Sequence, residues 1–172
     1  MRRATASSIV VVALFASAPA GAAPRFVNVA ADAGVHATFT IAPGYPGEFT
    51  LMAGGGTVGD FNADGWPDLF LLAGGTAPDR LFINDAIPGA ISFTEQAADW
   101  DADGTLTTPH RGMGLAVGDV NRDGYDDIYV VSLGPATAPA APGHSRLLIN
   151  AGPNAGGGFA FIEQAAARGV NE

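Results

Sequence analysis

An internal repeat constrains the fold of this chain more than any other feature of its sequence. Three short segments read alike and begin with Phe26, Phe93 and Phe161, so that successive Phe residues lie 67 and 68 positions apart. Segments that recur at a fixed spacing define a structural unit, here of about 67 residues. The predicted division is a first unit at residues 25–91, a second at 92–159 and the start of a third at 160–172.

Two further elements recur between these segments, in the same order in both units. One has the pattern Arg-Leu-x-Ile-Asn, and the other has the pattern Val-Gly-Asp-x-Asn-x-Asp-Gly. They occupy residues 80–84 and 146–150, and residues 58–65 and 117–124. Chance does not explain three shared elements in the same order, so we interpret the repeat as a structural unit.

Each unit is predicted to contain four β-strands, because short runs of Val, Ile, Leu and Phe alternate with Gly, Pro, Asp and Asn. The predicted strands are 51–58, 68–73, 80–84 and 91–95 in the first unit, and 113–118, 127–132, 145–149 and 159–163 in the second. Residues 69–72 and 128–131 are apolar on both faces, which is typical of strands covered by other layers on both sides. Stacked four-stranded units are the blades of a β-propeller. An eight-stranded β-sandwich is the alternative, but it would not require the same loop chemistry twice.

The N-terminal segment has the layout of a secretory signal peptide. Two Arg residues precede an apolar run at residues 9–15, and small residues follow at 18–22. This order predicts a signal peptide over residues 1–22 with cleavage near residues 20–23, hence a secreted or periplasmic protein. The run is too short to anchor the chain in a bilayer, so no membrane anchor is expected in the mature chain. A hydrophobic first strand is the alternative interpretation.

Composition excludes several functions. The chain has no Cys, and its eight basic residues are all Arg, so thiol catalysis, disulfides and any chemistry that requires Lys are absent. Acidic residues number 17 and the formal net charge is −9. Such a balance argues against nucleic acid as a partner, because phosphates require a basic surface. The positions of the carboxylates are therefore the main indication of function.

The carboxylates concentrate in two loops with the pattern Asp-x-Asn-x-Asp-Gly-x-x-Asp. Alternate positions 1, 3 and 5 place oxygen atoms on the inside of a tight turn, and Gly at position 6 allows the chain to reverse. The carbonyl of position 7 and the carboxylate of position 9 complete a set of hard oxygen ligands that suits Ca²⁺ better than Mg²⁺. The predicted ligands are Asp60, Asn62, Asp64, Trp66 and Asp68 in the first loop, and Asp119, Asn121, Asp123, Tyr125 and Asp127 in the second.

Three alternatives to a calcium loop of this kind fit the two segments less well. Turns without an ion use the same residues, but three carboxylates close together would repel one another. An EF-hand requires Glu at position 12, where this chain has Leu71 and Val130. A tandem nonapeptide calcium repeat would place the loops nine residues apart, and here they lie 59 apart.

A third acidic stretch contains Asp99, Asp101 and Asp103. It imitates the first positions of the two loops but lacks the ninth carboxylate, and it does not lie at the equivalent place in the repeat. It is therefore interpreted as an acidic surface loop.

The remaining candidate residues favour structural roles. His36, His110 and His144 have no metal-ligand partner at i+4, so each is expected to lie in a loop, although His110 with Arg111 could line a binding surface. The Gly54–Gly56 run is followed by neither a helix nor a Lys, so it indicates close strand packing rather than a phosphate site. Three aromatic residues, Trp66, Trp100 and Tyr125, are candidates either for sugar stacking or for packing between blades.

The loops, the Gly-rich strand before each and the Arg-Leu-x-Ile-Asn strand resemble the FG-GAP/VCBS repeats, over about residues 25–172. The sequence around Phe26 and Gly112 is similar to the bacterial group resembling cartilage acidic protein, which often ends in an ASPIC/UnbV domain. The resemblance implies a seven-bladed, integrin-α-like propeller that is secreted and used for binding or adhesion. Its calcium-loop positions correspond to Asp60, Asn62, Asp64 and Asp68, and to Asp119, Asn121, Asp123 and Asp127. The resemblance supplies no catalytic residue.

The resemblance also implies that something is missing, because about two blades cannot close a ring. We expect an incomplete propeller, or an oligomer that shares blades. The function predicted is a non-catalytic, Ca²⁺-stabilised interaction module whose ligand is a protein or a carbohydrate. The alternative is the N-terminal part of a larger secreted enzyme acting on carbohydrate or phosphoester, which sequence beyond Glu172 would decide.

Overall fold

The computed structural model describes residues 25–39, 54–74, 77–132 and 144–171, and the regular secondary structure of these residues is almost entirely β. The predicted signal peptide, residues 51–53 of the first predicted strand and the Pro-rich stretch at 135–143 lie outside the described residues. The elements are β1 Gly55–Gly59, β2 Asp68–Leu72, β3 Arg80–Asn84, β4 Phe93–Glu95, β5 Gly112–Gly118, β6 Asp127–Ser132, β7 Arg146–Asn150, β8 Phe161–Glu163 and α1 Ala165–Arg168.

The eight strands form two antiparallel four-stranded sheets, each with its strands in sequence order. The first sheet is β1-β2-β3-β4 and the second is β5-β6-β7-β8. In both sheets a Gly pairs with the Asp that ends the acidic loop, Gly59 with Asp68 and Gly118 with Asp127. The prediction of an all-β fold built from four-stranded antiparallel propeller blades is confirmed. Over the described ranges the two sheets do not close into a ring.

The strands begin and end close to where the sequence predicts, because turn residues bound each apolar run. β3 and β6 match their predicted bounds, and the other strands differ at their ends by one to four residues. The pairing of β5 with β6 carries a register shift between Gly112 and Gly114, as at a β-bulge. The predicted alternation of apolar runs and turns therefore fixes the positions of all eight strands.

The boundaries of the sequence repeat and those of the sheets are offset by one strand. Each repeated segment that begins with Phe93 or Phe161 opens with the last strand of the preceding sheet, because β4 pairs with β3 and β8 with β7. A turn follows: the N–H of Gln96 donates to the carbonyl of Leu81 (2.8 Å), and the N–H of Gln164 donates to that of Leu147 (2.8 Å). The unit boundaries at 92 and 160 remain predictions, since the sheets only show where strands pair.

The short helix α1 was not predicted. It follows β8 and ends at Gly169, whose φ of 70° is the left-handed conformation that favours glycine at the end of a helix. The N–H of Val170 then donates to the carbonyl of Ala165 (2.9 Å). In the first repeated segment, the N–H of Val35 donates to the carbonyl of Ala30 (2.8 Å), so the same turn recurs there without the helix.

The main core lies between the two sheets. One face of the first sheet packs against one face of the second, and the loop following β4 adds Trp100 and Leu106. The ring of Phe61 meets that of Phe161 edge-on, with centroids 5.8 Å apart. This arrangement explains why β2 and β6 are apolar, since their inward side chains fill the space between blades. The strand residues of this core are Phe70, Leu72, Leu81 and Ile83 from the first sheet, and Ile128, Val130, Leu148 and Phe161 from the second.

Candidate metal sites

The two acidic loops occupy equivalent places in the two sheets. The first connects β1 to β2, and the second connects β5 to β6. Their backbones share two positive φ angles: position 4 has 56° at Ala63 and 64° at Arg122, and position 6 has 88° at Gly65 and 93° at Gly124. Gly accepts such angles without strain, which explains its presence at position 6. Ala and Arg do not, so position 4 carries strain in both loops.

The carboxylate at position 1 organises each turn through its two oxygen atoms. In the first loop, Oδ1 of Asp60 accepts from the N–H of Asp64 (3.0 Å), and Oδ2 accepts from the N–H of Gly65 (2.9 Å). In the second loop, Asp119 accepts the corresponding bonds at 3.1 and 2.9 Å. The turn is therefore built around this side chain in both loops.

Positions 3 and 5 form a second matched set of contacts. The N–H of Asp64 also donates to Oδ1 of Asn62 (3.1 Å), and Nδ2 of Asn62 donates to Oδ2 of Asp64 (2.9 Å). The N–H of Trp66, at position 7, donates to Oδ1 of Asp64 (2.8 Å). The side-chain oxygen atoms at positions 1, 3 and 5 thus lie inside one turn. The second loop repeats these bonds at 3.0, 2.7 and 3.0 Å, with Asn121, Asp123 and Tyr125.

The carboxylate at position 9 joins the loop to the sheet. Asp68 is buried, and it accepts from the N–H of Phe61 (2.9 Å) and from the N–H of Asn84 at the end of β3 (2.8 Å). Asp127 is buried likewise, and it accepts from the N–H of Val120 (3.0 Å) and from that of Asn150 (2.8 Å). The carboxylate at position 9 therefore links each loop directly to the third strand of its sheet.

The pKa of the carboxyl group at position 9 is set by burial, which raises it, and by these hydrogen bonds, which lower it. Burial raises the pKa of Asp68 to about 6, the two backbone N–H donors lower it, and the charges of Asp64 and Asp60 raise it further. Burial likewise raises the pKa of Asp127, with the same opposing donors and with Asp123 and Asp119 raising it. A neighbouring cation would relieve this repulsion between carboxylates.

The donor set suits a hard cation in type. Each loop has three carboxylates and one amide oxygen at positions 1, 3, 5 and 9, and each carboxylate oxygen that accepts one N–H retains a second lone pair. Within the described ranges, however, no group of three or more His, Cys, Asp or Glu side chains is already placed around a single point as metal ligands. The ion therefore stays a prediction, and so do the ten ligand positions.

Comparison with known protein families places these loops in a known type of repeat. Residues 60–130 match the FG-GAP-like repeat. The match runs from position 1 of the first loop to β6, so it contains both acidic loops. Repeats of this family are typical of extracellular, adhesion-type modules. The FG-GAP resemblance is thus confirmed over these residues, whereas the narrower ASPIC/UnbV grouping stays a prediction. No curated protein matches the chain.

Among the described residues, no helix has the length and apolar character needed to cross a bilayer. The predicted signal peptide, at residues 1–22, lies outside those ranges.

Several glycine and aromatic residues pack the two sheets together. The N–H of Gly54 donates to the carbonyl of Gly112 (2.8 Å), and a Cβ placed on Gly55 would lie 3.9 Å from the Cα of Gly114. The strands β1 and β5 can approach this closely because side chains are absent, as the Gly-rich pattern predicts. Trp100 is buried and stacks on the ring of Phe159 with centroids 4.9 Å apart, so it is not an exposed sugar-stacking residue.

The third acidic stretch supports the fold through hydrogen bonds. Asp101 accepts from the N–H groups of Leu106 (3.0 Å) and Thr107 (2.8 Å), and Asp103 accepts from the N–H of Glu163 in β8 (2.7 Å). These bonds hold the connection between β4 and β5 against the outermost strand of the second sheet. They agree with the interpretation of this stretch as a loop distinct from the two repeated ones.

A buried polar cluster lies beside the second sheet, and sequence reasoning missed it. All three His residues lie outside the strands, as predicted, but His110 is fully buried. Its Nε2 lies 2.9 Å from the carbonyl oxygen of His144 and 2.5 Å from Oγ of Ser132. Its Nδ1 has no hydrogen-bond partner among the described residues. Over the described part of the chain, no acid therefore orients the imidazole of this His–Ser pair, and Ser132 itself donates to the carbonyl of His144 (2.8 Å).

The charge of Arg146 acts on His110 from one side and on Asp79 from another. Burial lowers the pKa of His110 to about 4, with the charge of Arg146 lowering it further. Burial raises the pKa of Asp79 to about 6, although the N–H of Ala73 (3.0 Å) and the charge of Arg146 oppose the shift. Arg146 donates through Nη1 to the carbonyl of Thr105 (2.9 Å), which ties β7 to the connection between the sheets. Arg at this position recurs in the repeat pattern, which is the signal that could have indicated the cluster.

Proposed function

We propose that this chain is a non-catalytic, calcium-binding interaction module that acts outside the cytoplasm. The observation that carries the proposal is the match between the two acidic loops, which contain the same seven hydrogen bonds at equivalent positions. A turn that needed only Asp and Gly would not require Asn at position 3 and a buried Asp at position 9 in both copies. A shared ligand explains the shared set of oxygen atoms.

The residues that would hold the ion are those at positions 1, 3, 5, 7 and 9. Bound Ca²⁺ would supply positive charge that offsets the repulsion between the carboxylates of each loop. Since position 9 also accepts from the N–H of the third strand, ion binding would stabilise the sheet as well as the loop. Side-chain oxygen atoms come from Asp60, Asn62, Asp64 and Asp68, and a carbonyl comes from Trp66; the second loop supplies Asp119, Asn121, Asp123, Asp127 and Tyr125.

The partner we propose is a protein or a carbohydrate met outside the cytoplasm. The FG-GAP-like repeat at residues 60–130 supports this setting, because such repeats are typical of extracellular adhesion modules. The signal-peptide pattern over residues 1–22 supports secretion or export to the periplasm. The formal net charge of −9 disfavours nucleic acid.

Thermal unfolding in different ions tests the proposal. We expect the melting temperature to rise with Ca²⁺ concentration by mass action, with half-saturation at about 10⁻⁴–10⁻³ M, which is typical of extracellular modules. Mg²⁺ at equal concentration should give a smaller rise, because it keeps more of its own water. The double variant Asp64→Ala/Asp123→Ala should lose the Ca²⁺ response.

The matched control is Asp126→Ala, which removes a carboxylate at position 8 of the second loop without removing a predicted ligand. It should keep the full Ca²⁺ response. If the double variant responds to Ca²⁺ as the parent does, the loops are not the binding sites and the proposal fails.

A further inference from the structure

A pocket of about 270 Å³ lies at the seam between the two sheets. It is bounded by the first acidic loop, the end of β3, the turn after β4 and the connection between β7 and β8, so both sheets contribute to its walls. Its volume lies near the lower end of the range for small-molecule sites. We call it the seam pocket, and the side chains that line it are Asn62, Ile83, Gln96, Asp99, Trp100 and Phe159.

One wall of the seam pocket is apolar. Ile83 and Trp100 are buried there, whereas Phe159 is half-buried and keeps part of its ring accessible. Two other rings hold that of Phe159 in place: it stacks on the ring of Trp100, with centroids 4.9 Å apart, and meets the ring of Tyr125 edge-on, with centroids 5.9 Å apart. The accessible aromatic surface is therefore fixed before a ligand binds, which lowers the entropy cost of binding.

The remaining side chains of the seam pocket are polar. Oε1 of Gln96 accepts from Nε1 of Trp100 (3.1 Å), and one N–H of Asn62 donates to Oδ2 of Asp64 (2.9 Å). Among the described residues, Nε2 of Gln96 and the second N–H of Asn62 have no acceptor. Asp99 is exposed, and within the same ranges its carboxylate accepts no hydrogen bond. The pocket thus offers amide donors and a carboxylate acceptor beside an aromatic ring.

Packing between repeats does not by itself explain the aromatic wall. The N–H of Phe161 donates to the carbonyl of Trp100 (2.8 Å), and at the equivalent place in the repeat the N–H of Phe93 donates to the carbonyl of Ala33 (2.9 Å). The same backbone contact therefore forms with a methyl group in place of an indole. The indole at this seam instead supports the ring of Phe159, so the wall is specific to the seam pocket.

The chemistry of the seam pocket fits a neutral sugar ring. A sugar ring has an apolar C–H face that packs on an aromatic side chain, and its hydroxyls both accept and donate hydrogen bonds. Hydroxyls can accept from the amides of Gln96 and Asn62 and donate to Asp99, so all three groups are used. A basic side chain only donates, which would leave the amides unmatched. An anionic ligand would meet Asp99 with no cation nearby, since none of the described residues lining the pocket is basic.

We propose that the seam pocket binds one neutral hexose unit of a carbohydrate. The ring packs on Phe159, and its hydroxyls bond to Gln96, Asn62 and Asp99. The site rests on the proposed function above, whose partner it specifies as a carbohydrate. A single ring makes few contacts, so its dissociation constant is about 1–10 mM.

Fluorescence titration tests the proposal. The chain has two Trp residues, so Trp66→Phe leaves Trp100, in the wall of the pocket, as the reporting indole. In this background, methyl glycosides of glucose, galactose and mannose are added one at a time, up to about 100 mM. We expect a saturable change in emission with at least one of them.

Two pocket variants should each raise the half-saturating concentration at least about tenfold. Asp99→Ala removes the carboxylate acceptor. Gln96→Glu replaces the amide donor by an oxygen atom while keeping an acceptor for Nε1 of Trp100. Asp32→Ala is the matched control, because Asp32 is the exposed residue at the position of Asp99 in the first repeated segment, outside the seam pocket. It should bind the glycoside as the parent does.

Three outcomes overturn the proposal: no saturable response to any of the glycosides, unchanged binding in both pocket variants, or an equal loss in Asp32→Ala. A saturable response to N-acetylarginine amide in place of the glycosides would also overturn it and assign the pocket to a basic side chain of a protein. Melting curves establish that each variant folds, and Asp99→Ala, at an exposed residue, keeps the test decisive should Gln96→Glu unfold. The rise of the melting temperature with Ca²⁺ is measured on the same samples, so that failure of sugar binding is distinguished from failure of ion binding.

Discussion

The side chain of Asn150 donates a hydrogen bond of 2.8 Å from Nδ2 to the backbone carbonyl of Phe61, which lies 89 residues earlier in the chain. Asn150 is the last residue of β7, and Phe61 is the second residue of the first acidic loop. Both are fully buried. The loop of one repeat is therefore held by the third strand of the next, so that the acidic loop and the packing of blades form one structural unit.

Replacement of this amide tests the coupling. Asn150→Ala should lower the free energy of unfolding by about 2–3 kcal/mol, because it leaves the buried carbonyl of Phe61 without a donor. Asn84→Ala is the matched control at the equivalent position, where the amide serves only its own sheet, and should cost about 1 kcal/mol. Urea unfolding measures both. Equal losses would show that the bond across the sheets adds nothing.

The strained position 4 offers a stabilising change. Arg122 is exposed and has a φ of 64°, an angle that costs a non-glycine residue roughly 1–2 kcal/mol. Arg122→Gly should therefore raise the free energy of unfolding by about 1 kcal/mol after the entropy of the unfolded chain is included. Val120→Gly is the control in the same loop, at an exposed residue without positive φ, and should be destabilising. A loss of stability in Arg122→Gly comparable to that control would show that position 4 is not strained.

The titration of Asp79 should contribute one component of the pH dependence of the free energy of unfolding. Its pKa is raised to about 6 by burial, from a usual value of 3.8, so the folded state holds the proton more tightly than the unfolded chain does. The free energy of unfolding should therefore fall as pH rises from about 4 to about 6, by roughly 3 kcal/mol in total. Asp79→Asn keeps an acceptor for the N–H of Ala73 and removes the titration. Unfolding curves at several pH values should show that the free energy of unfolding of the parent minus that of the variant falls by about this amount over the same range, because the variant lacks only this component.

The titration of His110 should contribute a second component, of opposite sign, to the pH dependence of the free energy of unfolding. Burial lowers its pKa to about 4, from a usual value of 6.5, so the unfolded chain binds the proton more readily. The free energy of unfolding should fall as pH decreases from about 6.5 to about 4, by roughly 3 kcal/mol. In the parent the two components oppose each other. The slope with pH should thus change in opposite directions in His110→Gln and in Asp79→Asn, and a shift in the same direction in both would refute the assignment.

The sequence was sufficient to predict the strands, because each has a strong local signal. Apolar runs bounded by Gly, Pro and Asp fix β2, β3, β6 and β7, and the repeat supports each through its counterpart. The FG-GAP-like loops were also visible, since position 1 and position 9 are carboxylates at a fixed spacing. Helix α1 was missed, because four residues give no helical periodicity. The end of the helix at Gly169 is recognised only from the positive φ angle of that residue in the structure.

Contacts between distant residues could not be predicted in the same way. The burial of His110 depends on its meeting Ser132 and the carbonyl of His144, which no spacing in the sequence indicates. The bond from Asn150 to Phe61 likewise depends on how the two sheets stack. The sequence alone does not reveal the role of a residue when that role depends on contacts with another blade.

Calorimetric titration of the chain with Ca²⁺ tests the central claim most directly, because it counts the ions that the two FG-GAP-like loops bind. We expect two ions per chain for the parent and for the control Asp126→Ala, one for Asp64→Ala or Asp123→Ala, and none for the double variant, with dissociation constants of about 10⁻⁴–10⁻³ M. A parent that takes up no Ca²⁺ at millimolar concentration, or a double variant that still binds two ions, would contradict the account.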